Sequence, residues 1–363
     1  MGRLEEKAVA AVASLTGEER MLAACRLQPV DRTPVWFMRQ AGRCIADYRA
    51  LREKYDILTI AKTPELCSQV TLMPVDLFGV DAAVMYADIM LPLEGMGVPF
   101  VIEPEIGPII DHPIRTPADV AALRVIDAEE ATPYVFEAIR LLRPRLAGRA
   151  ALVGFSGGPF TLGCYMIEGR PSRDYAKAKG LMLKEPELWH RLMATLTDVV
   201  IRYLRAQVAA GVQVVQLFDS WVGVLSPTDY ERCVLPYSTR IFTEIRDLGV
   251  PTIHFGTSAA GLLDLMVKAG SDLVSVDWRV RLDDAWARIG FDRGIQGNLD
   301  PATLLAPFEV VERATRDILG QAAGRKGHIF NLGHGVFPDT PSEFLARIVD
   351  LVHRESPSYA VAS

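Results

Sequence analysis

The chain of 363 residues is 50% hydrophobic and 23% charged, which is typical of a soluble globular enzyme. Its formal net charge of −6, with no block of basic residues, argues against nucleic acid as a partner. No apolar run approaches the roughly 18 residues of a membrane span, and the five scattered cysteines without a Cys-x-x-Cys pair indicate reduced thiols, so we expect a cytoplasmic protein without a membrane partner.

Short apolar runs alternate with amphipathic stretches of helical period along the chain. The runs predicted as strands are 35–38, 82–86, 151–155, 212–218, 252–255, 273–277, 294–296 and 329–332. Helices predicted between them include 187–209, 227–248, 262–269 and 301–319. This alternation implies parallel strands joined by right-handed crossovers, and eight such units predict a single (β/α)8 TIM-type barrel of the α/β class. A doubly wound open sheet is the alternative, but no Gly-x-Gly-x-x-Gly supports its dinucleotide-binding version.

The chain divides into one domain with two short tails. We expect residues 1–15 to be a frayed or disordered tail, residues 16–356 to form the barrel and residues 357–363 to be a second tail. Residues 98–110 interrupt the alternation with two apolar runs around Glu103-Pro104-Glu105. This pattern predicts a β-hairpin inserted after the second strand.

Polar residues recur after the predicted strands, at the end where barrel enzymes carry their chemistry. In strand order they are Arg39 and Arg43, Asp88, residues 155–161, Asp219 and Ser220, His254, Asp277, Asn298, and His334. Scattered surface polarity would not produce this recurrence. The sequence therefore predicts an active site at this mouth of the barrel.

Arg39 and Arg43 lie four residues apart, directly after the first predicted strand. Arginine stays protonated in proteins and binds carboxylates through a planar fork of donors. The pair predicts a site for an anionic ligand with several carboxylates or phosphates. Two solvated surface arginines are the alternative.

A glycine-rich turn, residues 154–162, follows the third strand, and Gly158-Pro159 predicts the start of a helix. The N-terminus of that helix is a possible anion site, and Tyr165 lies on its first turns, facing the same mouth.

His334 lies between two glycines at the last strand end, which favours a role in ligand contact or proton transfer. Asp88 either caps the following helix or takes part in catalysis. The sequence has no His-x-x-x-His, His-x-Glu or Cys-x-x-Cys, so we expect no metal.

The decapeptide from Pro34 to Arg43 resembles the N-terminal signature of the uroporphyrinogen decarboxylases. Residues 154–162, followed by Tyr165, Glu168 and Gly169, look like the second signature of that family. Further similarity lies in residues 218–220, 253–257, 276–278, 296–301 and 331–335, so the resemblance covers about residues 18 to 355.

The resemblance implies a single (β/α)8 barrel, usually a homodimer, that acts in haem and porphyrin biosynthesis. It implies decarboxylation of the four acetate groups of uroporphyrinogen III to methyls, giving coproporphyrinogen III and four CO2, with no metal or organic cofactor. Decarboxylation normally needs an electron sink, and here a protonated pyrrole of the substrate supplies it.

The resemblance also implies roles for single residues. Asp88 would accept hydrogen bonds from the pyrrole N–H groups and stabilise the cation. Arg39, Arg43 and Arg52 would bind substrate carboxylates. The remaining residues implied to line the site are Tyr165, Ser220 and His334 as polar groups, and Phe155 and Phe218 as apolar walls. The catalytic set is Asp88, Arg39, Tyr165 and His334, and the first proton comes from Arg39, Asp88 or a bound water.

Three positions depart from the pattern of the family. Cys44-Ile45-Ala46 replaces the usual Tyr-Leu-Pro in a loop expected to cover the cleft, which makes the placement of Arg52 less certain than that of Arg39. Trp221 occupies a position where some members have histidine, and Ser258 replaces a common glycine.

Other functions are possible for a barrel of this kind. Corrinoid or thiol methyltransferases bind zinc through a His-x-Cys pair and a later cysteine, but here Phe255-Gly256 follows His254 and no cysteine follows Cys233. A non-catalytic tetrapyrrole-binding protein would be expected to lose Asp88. A generic phosphate-binding barrel gives no reason for the arginine decapeptide.

Overall fold

The computed structural model describes residues 14–104 and 106–359. The strands are β1 (Ala82–Val84), β2 (Val101–Glu103), β3 (Gly107–Ile109), β4 (Ala151–Gly157), β5 (Val214–Phe218), β6 (Thr252–Phe255), β7 (Leu273–Ser275), β8 (Gly294–Leu299) and β9 (His328–Leu332). Seven of them are parallel and form one curled sheet in the order β1-β4-β5-β6-β7-β8-β9, and β2 and β3 form a separate antiparallel hairpin. The predicted hairpin after the second unit is confirmed.

Helices pack around the sheet. They are α1 (Gly17–Cys25), α2 (Ala46–Arg52), α3 (Ile57–Lys62), α4 (Pro64–Phe78), α5 (Leu91–Gly95), α6 (Pro117–Ala121), α7 (Ala128–Ala131), α8 (Pro133–Leu146), α9 (Pro159–Glu168), α10 (Ala176–Lys184), α11 (Pro186–Ala210), α12 (Pro227–Cys233), α13 (Leu235–Glu244), α14 (Leu263–Lys268), α15 (Leu282–Ile289), α16 (Phe308–Ala322) and α17 (Ser342–Glu355). Short 3-10 helices are Val222–Val224, Arg246–Leu248, Ala260–Leu262, Pro301–Leu305 and Ser356–Tyr359. Within the described ranges, none of the helices combines the length and apolarity needed to cross a bilayer.

The first predicted strand, residues 35–38, closes the sheet at a single point. Val35 forms an isolated parallel bridge with Phe330 of β9. The N–H of Phe330 donates to the carbonyl of Pro34 at 2.9 Å. On the other side, the N–H of Asp81 donates to the carbonyl of Val35 at 2.8 Å. The segment thus fills the eighth position between β9 and β1 and completes the barrel.

Only Val35 forms a bridge, so the prediction of a strand over 35–38 was wrong. The N–H of Trp36 still donates to the carbonyl of Phe330 at 3.3 Å, but from Phe37 onward side chains replace the backbone acceptors. The N–H of Phe37 donates to Oε1 of Gln40 at 3.0 Å, and the N–H of Met38 donates to Oδ1 of Asn331 at 3.0 Å. Nε2 of Gln40 in turn donates to the carbonyl of Ala82 at 3.0 Å. These bonds release the backbone from the sheet just before Arg39.

Proline explains two of the predicted helices that the structure divides. The predicted helix 227–248 breaks at Val234, because Pro236 lies in the first turn of α13 and has no N–H to continue α12. The predicted helix 301–319 begins as a 3-10 helix and restarts as α16 after Pro307. Predicted helix 187–209 corresponds to α11, and 262–269 to a 3-10 turn followed by α14.

A buried polar ladder crosses the inside of the barrel. Nε1 of Trp36 donates to Oε1 of Gln296 at 3.0 Å. Nε2 of Gln296 donates to Oε1 of Gln216 at 3.1 Å and to Oγ of Ser275 at 2.9 Å. Because buried polar groups are costly unless they are bonded, these contacts fix which strands face one another.

A buried ionic cluster ties the opposite end of the barrel together. Arg20 of α1 donates to the carboxylates of Asp31 and Asp81. Oδ2 of Asp81 also accepts the N–H of Val35 at 2.7 Å and lies 2.7 Å from Nε2 of His353 in α17. One carboxylate thus holds the first helix, the last helix and the closing segment.

The two predicted tails lie partly outside the described residues. Of the first, residues 14 and 15 are described, and the carbonyl of Leu15 accepts a hydrogen bond from Arg20. Of the second, residues 357–359 belong to the 3-10 helix that follows α17, and Tyr359 packs against the core.

Candidate active site

Arg39 begins the mouth of the barrel in a left-handed backbone conformation, with φ of 58°. This conformation is uncommon for a residue with a side chain and persists only where the surroundings enforce it. The flanking bonds do so here, since the N–H of Val336 donates to the carbonyl of Met38 at 2.9 Å. A Cβ on Gly335 would lie 2.4 Å from Cδ of Arg39, so the arginine side chain lies directly against that glycine.

Asp88 follows β1 in the loop before α5. Its Oδ1 accepts the N–H of Met90 at 2.8 Å, a local turn bond that does not cap α5. Burial raises the pKa of Asp88, while the bond from Met90 and the charge of Arg39 act against that rise. The carboxylate is therefore held in a site that disfavours its charge, opposite a guanidinium.

Tyr165 lies on α9 with 8% of its surface exposed. Burial, followed by the negative charge of Asp88, raises the pKa of the Tyr165 phenol to about 12. The phenol therefore stays protonated at neutral pH and can both donate and accept hydrogen bonds in the mouth.

His334 follows β9 between two glycines. Burial lowers its pKa to about 4, and the positive charge of Arg39 adds to the effect. The imidazole is neutral at physiological pH, which makes it a hydrogen-bonding group and not a fixed cation. Arg39, Asp88, Tyr165 and His334 therefore form one electrostatic cluster, as their placement at the strand ends predicted.

Aromatic rings form a continuous wall beside this cluster. The centroids of Phe155 and Phe218 are 5.4 Å apart with the rings nearly perpendicular, and Phe218 is 5.7 Å from Phe255. The Phe255 ring is 6.2 Å from His334. Edge-to-face contacts of this kind hold the rings in place. Phe155 and Phe255 are buried and Phe218 is half-buried, so Phe218 supplies most of the accessible apolar surface.

The predicted anion site at the start of α9 is filled by the protein itself. Oγ1 of Thr161 donates to Oδ1 of Asp219 at 3.1 Å, and a Cβ on Gly158 would lie 2.7 Å from Cγ of Asp219. Asp219 is fully buried, and its Oδ2 lies 3.7 Å from Nε2 of the equally buried His254. These two residues, predicted at strand ends, support the mouth from below and do not line it.

Ser220 and Trp221 lie on the turn that directly follows the buried Asp219. The N–H of Trp221 donates to Oγ1 of Thr161 at 3.3 Å. The Trp221 indole lies 6.1 Å from the Tyr165 ring and 5.3 Å from that of Tyr175. Sequence reasoning missed Tyr175, since nothing in its local pattern marked it.

Glu168, a residue of the second signature, explains how Tyr175 is placed. Its Oε1 accepts the N–H groups of Lys177 at 2.8 Å and Ala178 at 3.1 Å, in the first turn of α10. Tyr175 precedes that turn in a left-handed conformation, with φ of 50°. The carboxylate at the start of α10 thus fixes the aromatic stack behind Tyr165.

Arg43 lies just before α2, and Arg52 is the last residue of that helix. Arg43 is exposed, and its carbonyl accepts a hydrogen bond from Nη1 of Arg49 at 2.8 Å. Arg52 is half-buried, and its Nη1 donates to the carbonyl of Tyr55 at 2.7 Å. Burial raises the pKa of Tyr86, two residues before Asp88, and the positive charge of Arg52 acts against that rise.

Asp277 and Asn298 organise the loop after β7. Nδ2 of Asn298 donates to the carbonyls of Asp277 at 3.0 Å and Val280 at 2.7 Å. Nη1 of Arg279 donates to Oδ2 of Asp277 at 2.6 Å. Arg279 was missed in the sequence, although it directly follows the matched residues 276–278.

The arrangement combines a charge-disfavoured carboxylate, guanidinium groups, neutral polar groups and an aromatic wall. Within residues 14–104 and 106–359, no group of three His, Cys, Asp or Glu residues is placed to hold a metal ion. These features suit an organic ligand that carries carboxylates at its rim and an apolar or cationic centre.

A family model described as uroporphyrinogen decarboxylase (URO-D) matches residues 16–355. The chain belongs to this family. It is 52% identical to the uroporphyrinogen decarboxylase of Carboxydothermus hydrogenoformans over 93% of this chain and 97% of that protein. It is 53% identical to the uroporphyrinogen decarboxylase of Sorangium cellulosum over 92% of this chain and 96% of that protein.

Structural similarity extends beyond the uroporphyrinogen decarboxylases. The solved structure of a methyltransferase from Methanosarcina mazei superposes with a TM-score of 0.80, covering 94% of this chain and 99% of its own, at 21% identity. At that identity the similarity concerns the fold alone, which is the TIM-barrel-like α/β architecture predicted from the sequence.

The departures from the uroporphyrinogen decarboxylase pattern have local explanations. Cys44 and Ile45 are buried and anchor the start of α2 in the core. Ser258 adopts the left-handed conformation, with φ of 55°, that a glycine would take without strain. Its N–H donates to Oδ2 of Asp277 at 2.6 Å, which holds this conformation.

Proposed function

We propose that this chain is a uroporphyrinogen decarboxylase that converts the four acetate groups of uroporphyrinogen III to methyls. The observation that carries the proposal at the site is Asp88, a carboxylate whose pKa burial raises, opposite Arg39 in an aromatic-walled mouth. Family membership over residues 16–355 supports the reaction.

For each acetate, the reaction consumes one proton and releases one CO2. A proton adds to the ring carbon of the pyrrole and creates an iminium cation next to the acetate. The bond to the carboxylate then breaks and its electrons neutralise the cation. A second proton converts the exocyclic methylene to a methyl, and loss of the ring proton restores the pyrrole.

Asp88 is suited to the cationic stage of this cycle. The desolvation that raises its pKa also means that a positive charge close by is stabilised strongly, because little water screens the pair. The pyrrole N–H groups of the substrate are donors, and the ionised carboxylate accepts hydrogen bonds only. Asp88 therefore favours the protonated ring over the neutral ring.

The arginines bind the negative rim of the substrate. Arg39 follows the closing segment, Arg43 precedes α2 and Arg52 is the last residue of α2. Each charge-assisted hydrogen bond contributes about 1.5–3 kcal/mol. Three guanidinium groups on one side of the mouth thus hold a polyanion even though the net charge of the chain is −6.

The pKa values of His334 and Tyr165 reduce the number of groups that could donate the first proton. His334, with a pKa of about 4, carries no proton to give as an imidazolium at neutral pH, and Tyr165, with a pKa of about 12, is a weak acid. We assign both to hydrogen bonding with the substrate, together with Ser220. Arg39, Asp88 and a bound water stay the candidates for proton delivery.

We also propose a homodimeric, cytoplasmic enzyme without a metal or organic cofactor. The five cysteines are free and buried, which suits a reducing compartment. Light scattering after gel filtration tests the dimer. A mass near 80 kDa is expected from the 40.0 kDa chain, and a mass near 40 kDa contradicts it.

Anaerobic incubation with uroporphyrinogen III tests the activity. Products separated by chromatography should lose carboxylates stepwise until four remain, before and after exhaustive chelation of the protein. A product that retains all eight carboxylates of the substrate would contradict the proposal. Methyl transfer that requires added zinc favours the methyltransferase alternative.

A further inference from the structure

The loop between β7 and α15 presents an arginine that the family signatures do not include. Asn298 clamps this loop through the carbonyls of Asp277 and Val280, at 3.0 and 2.7 Å. Because both ends of the segment are fixed, the residues between them have little freedom. Arg279 lies in this clamped segment, directly after the matched residues 276–278.

The carboxylate of Asp277 orients Arg279. The Asp277 side chain is 1% exposed and accepts the N–H of Ser258 at 2.6 Å, the N–H of Arg279 at 3.0 Å and Nη1 of Arg279 at 2.6 Å. The Arg279 guanidinium also lies over the Trp278 ring, with Cζ 4.2 Å from the centroid. Stacking on a ring face leaves the in-plane donors of a guanidinium accessible.

The guanidinium has donors to spare. Its side chain is 45% exposed, and Asp277 takes a hydrogen bond from one of its three nitrogens. A guanidinium has five N–H groups. Among the described residues, Arg279 makes no other side-chain hydrogen bond. It is thus held in position and still able to bind a carboxylate.

Arg279 belongs to the same mouth as His334. A Cβ on Gly333 would lie 2.7 Å from the N atom of Trp278 and 2.9 Å from Cα of Asp277, so the two loops touch through their backbones. His334 is the next residue after that contact. After burial and Arg39, the charges of Asp277 and Arg279 act on the pKa of His334, with Arg279 lowering it.

Resting on the proposed function, we propose that Arg279 binds an outer carboxylate of the porphyrinogen, with Asp277 and Trp278 as its positioning residues. Arg39 enters the mouth from the closing segment next to β1, whereas Arg279 enters after β7. The two guanidinium groups therefore contact different parts of the substrate rim. A loop-stabilising ion pair alone would not need an exposed guanidinium stacked at the mouth.

Arg279→Ala tests the assignment, with Arg281→Ala as the matched control. Arg281 lies two residues on, is 58% exposed and pairs with Asp283 at 2.9 Å. Loss of one charge-assisted contact should raise KM for uroporphyrinogen III and the Kd for the oxidised probe uroporphyrin III about tenfold or more. We expect kcat to change little, because the contact is present in both ground and transition states.

A second measurement reports on position without turnover. Arg279→Ala removes a positive charge and should therefore raise the pKa of His334, whereas Arg281→Ala should leave that pKa unchanged. NMR titration of the His334 imidazole measures both. Asp277→Asn should raise KM as well, because the guanidinium then keeps its charge but loses its orientation.

The outcomes separate this proposal from the proposed function. An unchanged KM in Arg279→Ala, with an active wild-type enzyme, overturns the role of Arg279 and leaves the decarboxylase intact. An unmoved His334 pKa contradicts the placement of Arg279 at the mouth. A wild-type protein that neither binds uroporphyrin III nor turns over uroporphyrinogen III refutes the proposed function itself.

Discussion

Burial makes ionisation of the Asp88 carboxylate unfavourable. Its folded-state pKa lies above the ordinary value of 3.8, so ionisation is less favourable in the folded chain than in the unfolded chain. Above the folded-state pKa the charge therefore destabilises the fold in full. The penalty declines as the pH falls from that pKa toward 3.8, and it is absent below 3.8.

Asp88→Asn should consequently raise the melting temperature at pH 7. The amide keeps the Oδ1 that accepts the N–H of Met90 and removes the charge. The gain should shrink as the pH falls through the raised pKa toward 3.8 and below. Thermal unfolding from pH 7 to pH 3.5 measures it.

Asp127→Asn is the matched control, since Oδ1 of Asp127 accepts the N–H of Glu129 at 2.8 Å in the same i to i+2 pattern, but on the surface. A melting temperature that rises equally in both variants would show that the charge of the half-buried Asp88 carries no penalty.

His334 should titrate far below an ordinary histidine. Burial and the charge of Arg39 lower its pKa from 6.5 to about 4, so the imidazole stays neutral as the pH falls from 7 through 6.5. NMR titration of the free enzyme should give a midpoint near 4. A midpoint at 6.5 would place the ring in open solvent and contradict its role in the mouth.

Glycines determine how closely the elements approach at the mouth. The loop after β9 touches Arg39 through Gly335, where a Cβ would lie 2.4 Å from Cδ and 2.7 Å from Cγ of the arginine. Because these atoms are near the backbone, the side chain would have to leave its rotamer. The glycine next to His334 is thus a condition for placing Arg39.

Gly335→Ala should therefore raise KM about tenfold or more by displacing one charged contact, while circular dichroism stays unchanged. Gly180→Ala in α10 is the control, because nothing lies within 4 Å of its added Cβ. That change should stabilise the helix by about 0.5–1 kcal/mol and leave KM as it is. Equal kinetic effects in both variants would argue against the Gly335–Arg39 contact.

The periodicity of apolar residues predicted most of the strands and helices. The polar residues at the predicted strand ends indicated part of the site. Arg39, Asp88, Tyr165 and His334 were placed together because the carboxyl ends of parallel strands meet at one face. The segment 35–38 could not be predicted correctly, since its N–H groups bond to Gln40 and Asn331, and long-range side-chain acceptors leave no local pattern.

The same limit applies to the surroundings of α9 and β7. Gly158-Pro159 correctly marked a helix start, but only the fold shows that Asp219 occupies it. Tyr175 packs against Trp221 behind Tyr165, and Asp277 orients Arg279. The contact of Tyr175 with Trp221 joins loops that are far apart in the sequence, so no local pattern or residue spacing predicts it.

The whole molecule depends on the buried ionic cluster at the end opposite the mouth. Asp81 links α1, α17 and the closing segment through Arg20, His353 and Val35. These contacts join parts of the chain that are far apart in sequence. The cluster therefore fixes the closing segment that carries Arg39.

Asp81→Ala should lower the free energy of unfolding by roughly 3–5 kcal/mol, because it leaves buried donors without their carboxylate. Urea denaturation measures the loss. The exposed pair of Arg149 and Asp76, at 2.6 Å, provides the control, and Asp76→Ala should cost about 0–1 kcal/mol. A similar small cost for Asp81→Ala would show that the barrel closes without this cluster.

The most direct test compares the wild-type enzyme with Asp88→Asn in one anaerobic assay with uroporphyrinogen III, counting product carboxylates by chromatography. The wild type should proceed to the four-carboxylate product. The variant should be at least about a hundredfold slower, because it lacks the charge that stabilises the protonated pyrrole, while it still binds uroporphyrin III. Turnover of Asp88→Asn near the wild-type rate, or no loss of carboxylates with either protein, would contradict the account.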